Sequence, residues 1–229
     1  MPIFILLLII IIMVIVFGPQ WWAQRIFKKY SKEQPVLRGT GGELAEHLVQ
    51  TIGITGVNVE ETTQGDHYDP TDKTVRLSPT NFNGKSLTAI AVAAHEVGHA
   101  IQHHENSSLL ANRTRLVRFA QVTDKIGSFA IIAMPIIALL TRIPAAAGFM
   151  VVLALGSMLV GTVVHLVTLP VELDASFKKA LPILKNGNYI EPKDEAAVKQ
   201  ILKAAAYTYV AASLASILNL ARWFAVLRR

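Results

Sequence analysis

Residues 93–102 read Ala93-Ala94-His95-Glu96-Val97-Gly98-His99-Ala100-Ile101-Gln102. Ser86 is an N-cap residue type, and Leu87, Ile90, Ala91, Ala94 and Ile101 recur at helical spacing. A helix is therefore predicted from Leu87 to about His104. Two histidines four positions apart on a helix lie about 40° apart in azimuth and one turn along the axis. His95 and His99 can therefore reach one metal ion from one helix face. Such an ion, zinc above all, lowers the pKa of a bound water toward about 7. Glu96, beside the pair, is then placed to act as general base and to pass the proton to a leaving amine. Gly98 weakens a helix, which a close approach of a strand or substrate would explain. The competing reading is a pair of surface histidines on an amphipathic helix, which leaves Gly98 unexplained.

A catalytic zinc site needs a third protein ligand and one open position. Three residues are candidates. Glu105 stands where the extended pattern HExxHxxGxxH has its third histidine, but Gln102 occupies the place of that pattern's glycine. His103 continues the histidine face, one further turn away along a straight helix. Glu172 lies far along the chain, in Leu169-Pro170-Val171-Glu172-Leu173-Asp174-Ala175-Ser176, and would complete a His₂Glu set of the kind that favours zinc. Glu172 is preferred; Glu105, His103 and an interfacial charge at 172 remain the alternatives.

Outward from this helix the chain is apolar. Of 229 residues, 52% are hydrophobic and only 17% charged, and the mean hydropathy is +0.42. A soluble domain carries about 25% charged residues, so an ordinary cytosolic globule and a disordered chain are both disfavoured. No cysteine is present, which removes disulfides, a cysteine nucleophile and thiolate metal sites. The net charge of +6 sits beside the apolar runs, at Arg25, Lys28, Lys29 and Lys32 and at Arg113, Arg115 and Arg118, which reads as lipid-headgroup contact. Nucleic acid is not an expected partner.

Residues 3–17 carry no charge, and the run extends to Trp21–Trp22, an interfacial aromatic pair. Twenty helical residues span roughly 30 Å, one hydrocarbon core. A cleaved signal peptide is the other reading; Phe17-Gly18-Pro19-Gln20 is a poor cleavage site. Further apolar runs cover 126–141, with Pro135 expected to kink it, then 143–171 and 204–224. The last is weaker and reads as a transmembrane or a peripheral helix. Lys and Arg counting puts the polar insert on the cytoplasmic side. Two crossings after it bring Glu172 back to the side of His95 and His99.

Within the insert, a helix is expected over Gly42–Gly53 and strands over Val57–Glu60 and Thr74–Ser78, with a turn at Asp69-Pro70-Thr71-Asp72. The expected organisation is an anchor at 1–22, the insert with its metal helix at 23–125, and a transmembrane hairpin at 126–171. A third-ligand helix and connector at 172–203 and the C-terminal helix at 204–229 complete it. The fold class is a mainly α membrane protein with three to four transmembrane helices and a small α+β zinc-peptidase unit.

His67-Tyr68-Asp69-Pro70, Val75-Arg76-Leu77-Ser78, the stretch 93–102 and the stretch 169–176 occur in this order. In this the chain resembles the bacterial membrane-bound neutral zinc metallopeptidases of the YugP type, over nearly its whole length. More distantly it is similar to membrane gluzincins of the HtpX and CAAX prenyl protease kinds. The resemblance implies His95, His99 and Glu172 as ligands of one Zn²⁺, Glu96 as base, and a plasma-membrane endopeptidase acting at the cytoplasmic face. The wider gluzincin pattern ExxAD has aspartate where this chain has Ser176. The support that this aspartate gives a histidine would then pass to Asp174 or be absent.

Other residues carry weaker expectations. The strand Thr74–Ser78, if its edge is open, could pair with an extended peptide. His165 is an ionisable residue inside an apolar run. His67, Tyr68 and Arg76 are minor candidates for polarising a carbonyl or binding substrate. Expected partners are the lipid bilayer and a protein or peptide substrate; a membrane-protein partner or an oligomer is compatible with the sequence. The alternative function is a non-catalytic membrane scaffold that keeps its zinc site. A transporter needs more intramembrane ionisable groups than His165.

Overall fold

The structure, a computed structural model, describes residues 2–208. The segment 209–229, which holds most of the expected last helix, lies outside the described residues, as does the side chain of His165. The chain is mainly helical with one three-stranded sheet. The described residues divide into two units, one of 2–19 and 112–168 and the other of 20–111 and 169–208.

In the first unit the described helices are the start of α1 (Pro2–Lys29), most of α5 (Ser108–Thr141) and α6 (Pro144–Val167). Helix α5 is 34 residues long and is apolar enough over 18 of them to cross a membrane. It begins well before the apolar run read from the sequence and continues as helix through Pro135. Its apolar side chains Phe129, Ile132, Leu139 and Leu140 are exposed. Small residues bring α5 and α6 together. A Cβ on Gly127 would collide with Ser157 Oγ and stand 3.5 Å from Ala154 Cα. Close backbone approach through small residues is the packing that helices use where water supplies no driving force.

The second unit is built around α4 (Leu87–His104), in which every residue from Leu87 to Gln102 is buried. Ser86 caps it, accepting from Ala89 N–H at 3.2 Å. Packed on α4 are α2 (Gly41–Ile52), α3 (Pro79–Phe82), the sheet and the segment after residue 168. Helix α2 starts with a capping box, Thr40 Oγ1 accepting from Glu43 N–H and Glu43 Oε2 from Thr40 N–H. It ends at Gly53, whose left-handed φ of 74° closes the helix. Leu44, Leu48 and Val49 of α2 face a core that includes Val75, Leu77, Leu87, Ile90 and Val97. Each such fully buried leucine or valine stabilises by about 1.5–3 kcal/mol.

The sheet has the order β1-β3-β2, with β1 (Asn58–Glu61) parallel and β2 (His67–Asp69) antiparallel to β3 (Thr74–Leu77). Strand β3 is therefore central, and both its edges are paired. The open edge expected at Thr74–Ser78 belongs instead to β1 and β2. Strand β2 escaped sequence reading because three residues before a proline show no alternation to read. Arg76 of β3 ties the sheet together, pairing with Asp69 at 2.9 Å, Asp72 at 2.7 Å and Glu60 at 3.3 Å.

After α6 the chain forms α7 (Leu169–Leu173), a π-helical segment over Asp174–Ala180, α8 (Leu181–Asn186) and a helix over 195–208, here α9. Leu184, Val198, Ile201 and Leu202 complete the core around α4.

Candidate metal centre

Helix α4 presents His95 and His99 side by side, their ring centroids 4.8 Å apart. Glu172 arrives from α7. Its Oε2 lies 3.3 Å from His95 Nε2 and 3.2 Å from His99 Nε2. The three ligating atoms all lie within 4.8 Å of one another, so the group can hold a metal ion. All three residues are buried, Glu172 completely. Glu96 is buried beside them on the same helix. A carboxylate taken out of water is costly unless a cation or a set of hydrogen bonds compensates it.

The outer nitrogens of both rings are occupied. His99 Nδ1 lies 2.9 Å from Gln102 Oε1, and Gln102 Nε2 donates to Val171 O at 3.0 Å and to Asp174 Oδ2 at 2.7 Å. His95 Nδ1 lies 3.0 Å from Ser176 Oγ, which also reaches Leu202 O at 3.1 Å. Both Nε2 atoms are left turned toward the carboxylate. Two imidazoles and one carboxylate, with each imidazole held from behind, make a donor set that suits zinc.

Gly98 is explained by the approach of neither a strand nor a substrate. A Cβ there would meet Ala175 O at 2.8 Å and Ala175 C and Cα at 3.4 Å. The absent side chain lets the π-helical segment lie directly on α4, between the two histidine turns. That segment carries both Asp174 and Ser176. π-Helical turns are rare and recur at functional sites.

The other third-ligand candidates lie elsewhere. Glu105 caps the end of α4 and pairs with Lys179 at the surface. His103 Nδ1 bonds Tyr68 Oη at 2.8 Å, in a cleft of about 200 Å³ lined also by Lys73, His104 and Asn106. Burial, with Asp69 adding to it, pushes the Tyr68 hydroxyl up to about 12, so it stays neutral. His67 Nδ1 bonds Gly65 O at 2.8 Å. Arg76 is engaged by its three carboxylates and serves the sheet. Burial pushes the Asp69 carboxyl up, but hydrogen bonds from Thr71 N–H, Arg76 and Asp72 N–H outweigh it and hold the group below its usual range.

Sequence reading missed Gln102, and it took Ser176 as a departure from a pattern. Gln102 follows His99 by three positions on the same helix face, among apolar neighbours. That placement was the available signal, because a buried amide needs partners.

A helix bearing His-Glu-Val-Gly-His, with a distant glutamate brought to the two imidazoles, is the framework of a zinc-peptidase class of protein. The chain belongs to the family described as "Putative neutral zinc metallopeptidase", whose model matches residues 5–228. It is 36% identical over 214 residues to the "Putative membrane protease YugP" of Bacillus subtilis (strain 168), an alignment that covers 90% of each chain. No solved structure matches it.

Proposed function

We propose that the chain is a membrane-embedded, zinc-dependent endopeptidase of gluzincin type. It hydrolyses peptide bonds of membrane-associated proteins or peptides at the cytoplasmic face. The observation that carries this reading is the convergence of His95 Nε2, His99 Nε2 and Glu172 Oε2 in a buried site. These residues would hold the ion. Zinc bound there would supply a Lewis acid for the scissile carbonyl and ease deprotonation of water near neutral pH.

The chain's own residues do the rest. Glu96 takes a proton from the attacking water as its oxygen bonds to the carbonyl carbon. The same proton goes to the leaving nitrogen as the C–N bond breaks. The buried walls of α4 and α7 keep bulk water from His95, His99 and Glu172, so their mutual geometry is not diluted by solvation. The membrane placement is supported by the length and apolarity of α5 and by the relative's name. Spans at α1, α5 and α6, with a transmembrane or peripheral helix after residue 204, are the arrangement proposed, and the basic residues beside the apolar runs support a cytoplasmic side for the peptidase unit.

The test is Glu96→Gln beside wild type in detergent or proteoliposomes. The variant should keep its zinc and lose peptide hydrolysis by about 10²–10⁴-fold, the usual share of a positioned acid–base group. Hydrolysis at the wild-type rate by a zinc-loaded Glu96→Gln would overturn the role of Glu96. Absence of any zinc-dependent hydrolysis by wild type would favour the scaffold.

A further inference from the structure

We propose that Gln102 and Ser176 are positioning residues that fix both metal-site histidines in the tautomer needed for binding through Nε2, with Asp174 acting through Gln102. The proposal rests on the zinc reading above. A count of protons fixes both tautomers. Gln102 has two amide protons, and Nε2 directs them at Val171 O and Asp174 Oδ2, both acceptors. Rotating the amide by half a turn would set its oxygen against those two oxygens, so the orientation is decided. The atom 2.9 Å from His99 Nδ1 is therefore Oε1, an acceptor. The ring nitrogen must donate, and Nδ1 carries the proton.

Ser176 gives the same result by a different route. Its hydroxyl has one proton, and Leu202 O, which can only accept, lies 3.1 Å from Oγ. The contact at 3.0 Å to His95 Nδ1 must then run from ring to hydroxyl. In the neutral form both rings carry their proton on Nδ1, and both Nε2 atoms face Glu172 Oε2. In that form three acceptors face one another, an arrangement that a cation relieves. Both outer supports depend on the π-helical segment, which supplies Asp174 and Ser176 two residues apart. The missing aspartate of the wider pattern is thus replaced twice, by an amide relay on His99 and a hydroxyl on His95.

The test measures zinc affinity by chelator competition, together with the melting temperature of the metal-free protein. The variants are Gln102→Met, Ser176→Ala, Gln102→Glu, and Gln102→Glu combined with Asp174→Asn. Losing an outer partner of a metal-ligating histidine typically weakens binding about 10–100-fold. That loss is expected for Gln102→Met and for Ser176→Ala. Gln102→Glu sets a carboxylate oxygen against both Val171 O and Asp174 and should also bind weakly. Adding Asp174→Asn restores a donor to the second of these contacts, keeps an acceptor on His99 Nδ1, and should recover part of the affinity. A role in packing alone would move the metal-free melting temperature and would not be rescued by this exchange. Wild-type affinity in both Gln102→Met and Ser176→Ala would overturn the proposal while leaving the zinc reading intact. Failure of the double variant to exceed Gln102→Glu would overturn the relay. A wild-type protein that binds no zinc would instead overturn the reading beneath it.

Discussion

Replacing Gly98 by alanine sets two known effects against each other. In a helix interior alanine is favoured over glycine by about 0.8–1 kcal/mol. Position 98, however, lies where α4 touches backbone. The new Cβ would stand 2.8 Å from Ala175 O and 3.4 Å from Ala175 C and Cα. None of these atoms belongs to a flexible side chain, so the contact is relieved only by moving the π-helical segment away from α4. Overpacking of this kind costs about 1–3 kcal/mol. The clash therefore cancels or exceeds the helix gain, leaving a net loss of about 0–2 kcal/mol. The segment that must move carries Asp174 and Ser176, so zinc affinity should fall further than stability does, by about tenfold or more. Chelator competition and thermal melting of the metal-free protein read the two quantities separately. A Gly98→Ala protein that melts higher than wild type and binds zinc equally well would show that the Ala175 backbone does not confine position 98.

Three further outcomes are expected. The Asp69 carboxyl is held below its unfolded value near 3.8. Its contribution is then complete above that value and is lost as pH falls through the lower folded pKa. Arg76→Met removes the guanidinium that pairs with Asp69, Glu60 and Asp72. The gap in melting temperature between wild type and variant should be constant from neutrality down to about pH 4 and narrow below it; a gap that stays constant throughout would contradict this. Tyr68→Phe removes the partner of His103 Nδ1 and should cost about 1 kcal/mol of unfolding free energy with zinc affinity unchanged; a zinc loss would place Tyr68 nearer the metal than proposed. Because the chain has no cysteine, Thr63→Cys, in an exposed bend before β2, gives a single label site. An impermeant maleimide should reach it in inside-out vesicles and not in intact cells, and the reverse pattern would invert the topology.

What the sequence disclosed follows from how local each determinant is. Helix α4 was legible almost to the residue, because its cap, its apolar spacing and its histidine pair all lie within eighteen neighbours. The Thr74 strand was legible by alternation, and its neighbour β1 was expected over Val57–Glu60, but β2 was not legible. Pairing with β2 on one side and β1 on the other depends on contacts that no local pattern records. Glu172 could be reached only by counting crossings or by resemblance, since α7 meets α4 across more than seventy positions. Gln102 shows the limit most clearly. Against the extended pattern HExxHxxGxxH it is merely the wrong residue for glycine, and its meaning lies in Val171 and Asp174, brought to it by folding. Gly98 was seen to need a reason, and the reason was Ala175 rather than anything nearby in the chain.

Everything proposed for this chain depends on His95, His99 and Glu172 holding one zinc ion. The most direct measurement is the metal content of the detergent-purified protein by elemental analysis, wild type beside Glu172→Ala. Wild type should hold about one zinc per chain and the variant should lose it, in keeping with a three-ligand protein site. Full zinc retention by Glu172→Ala, or no zinc in wild type even after zinc is supplied, would contradict it.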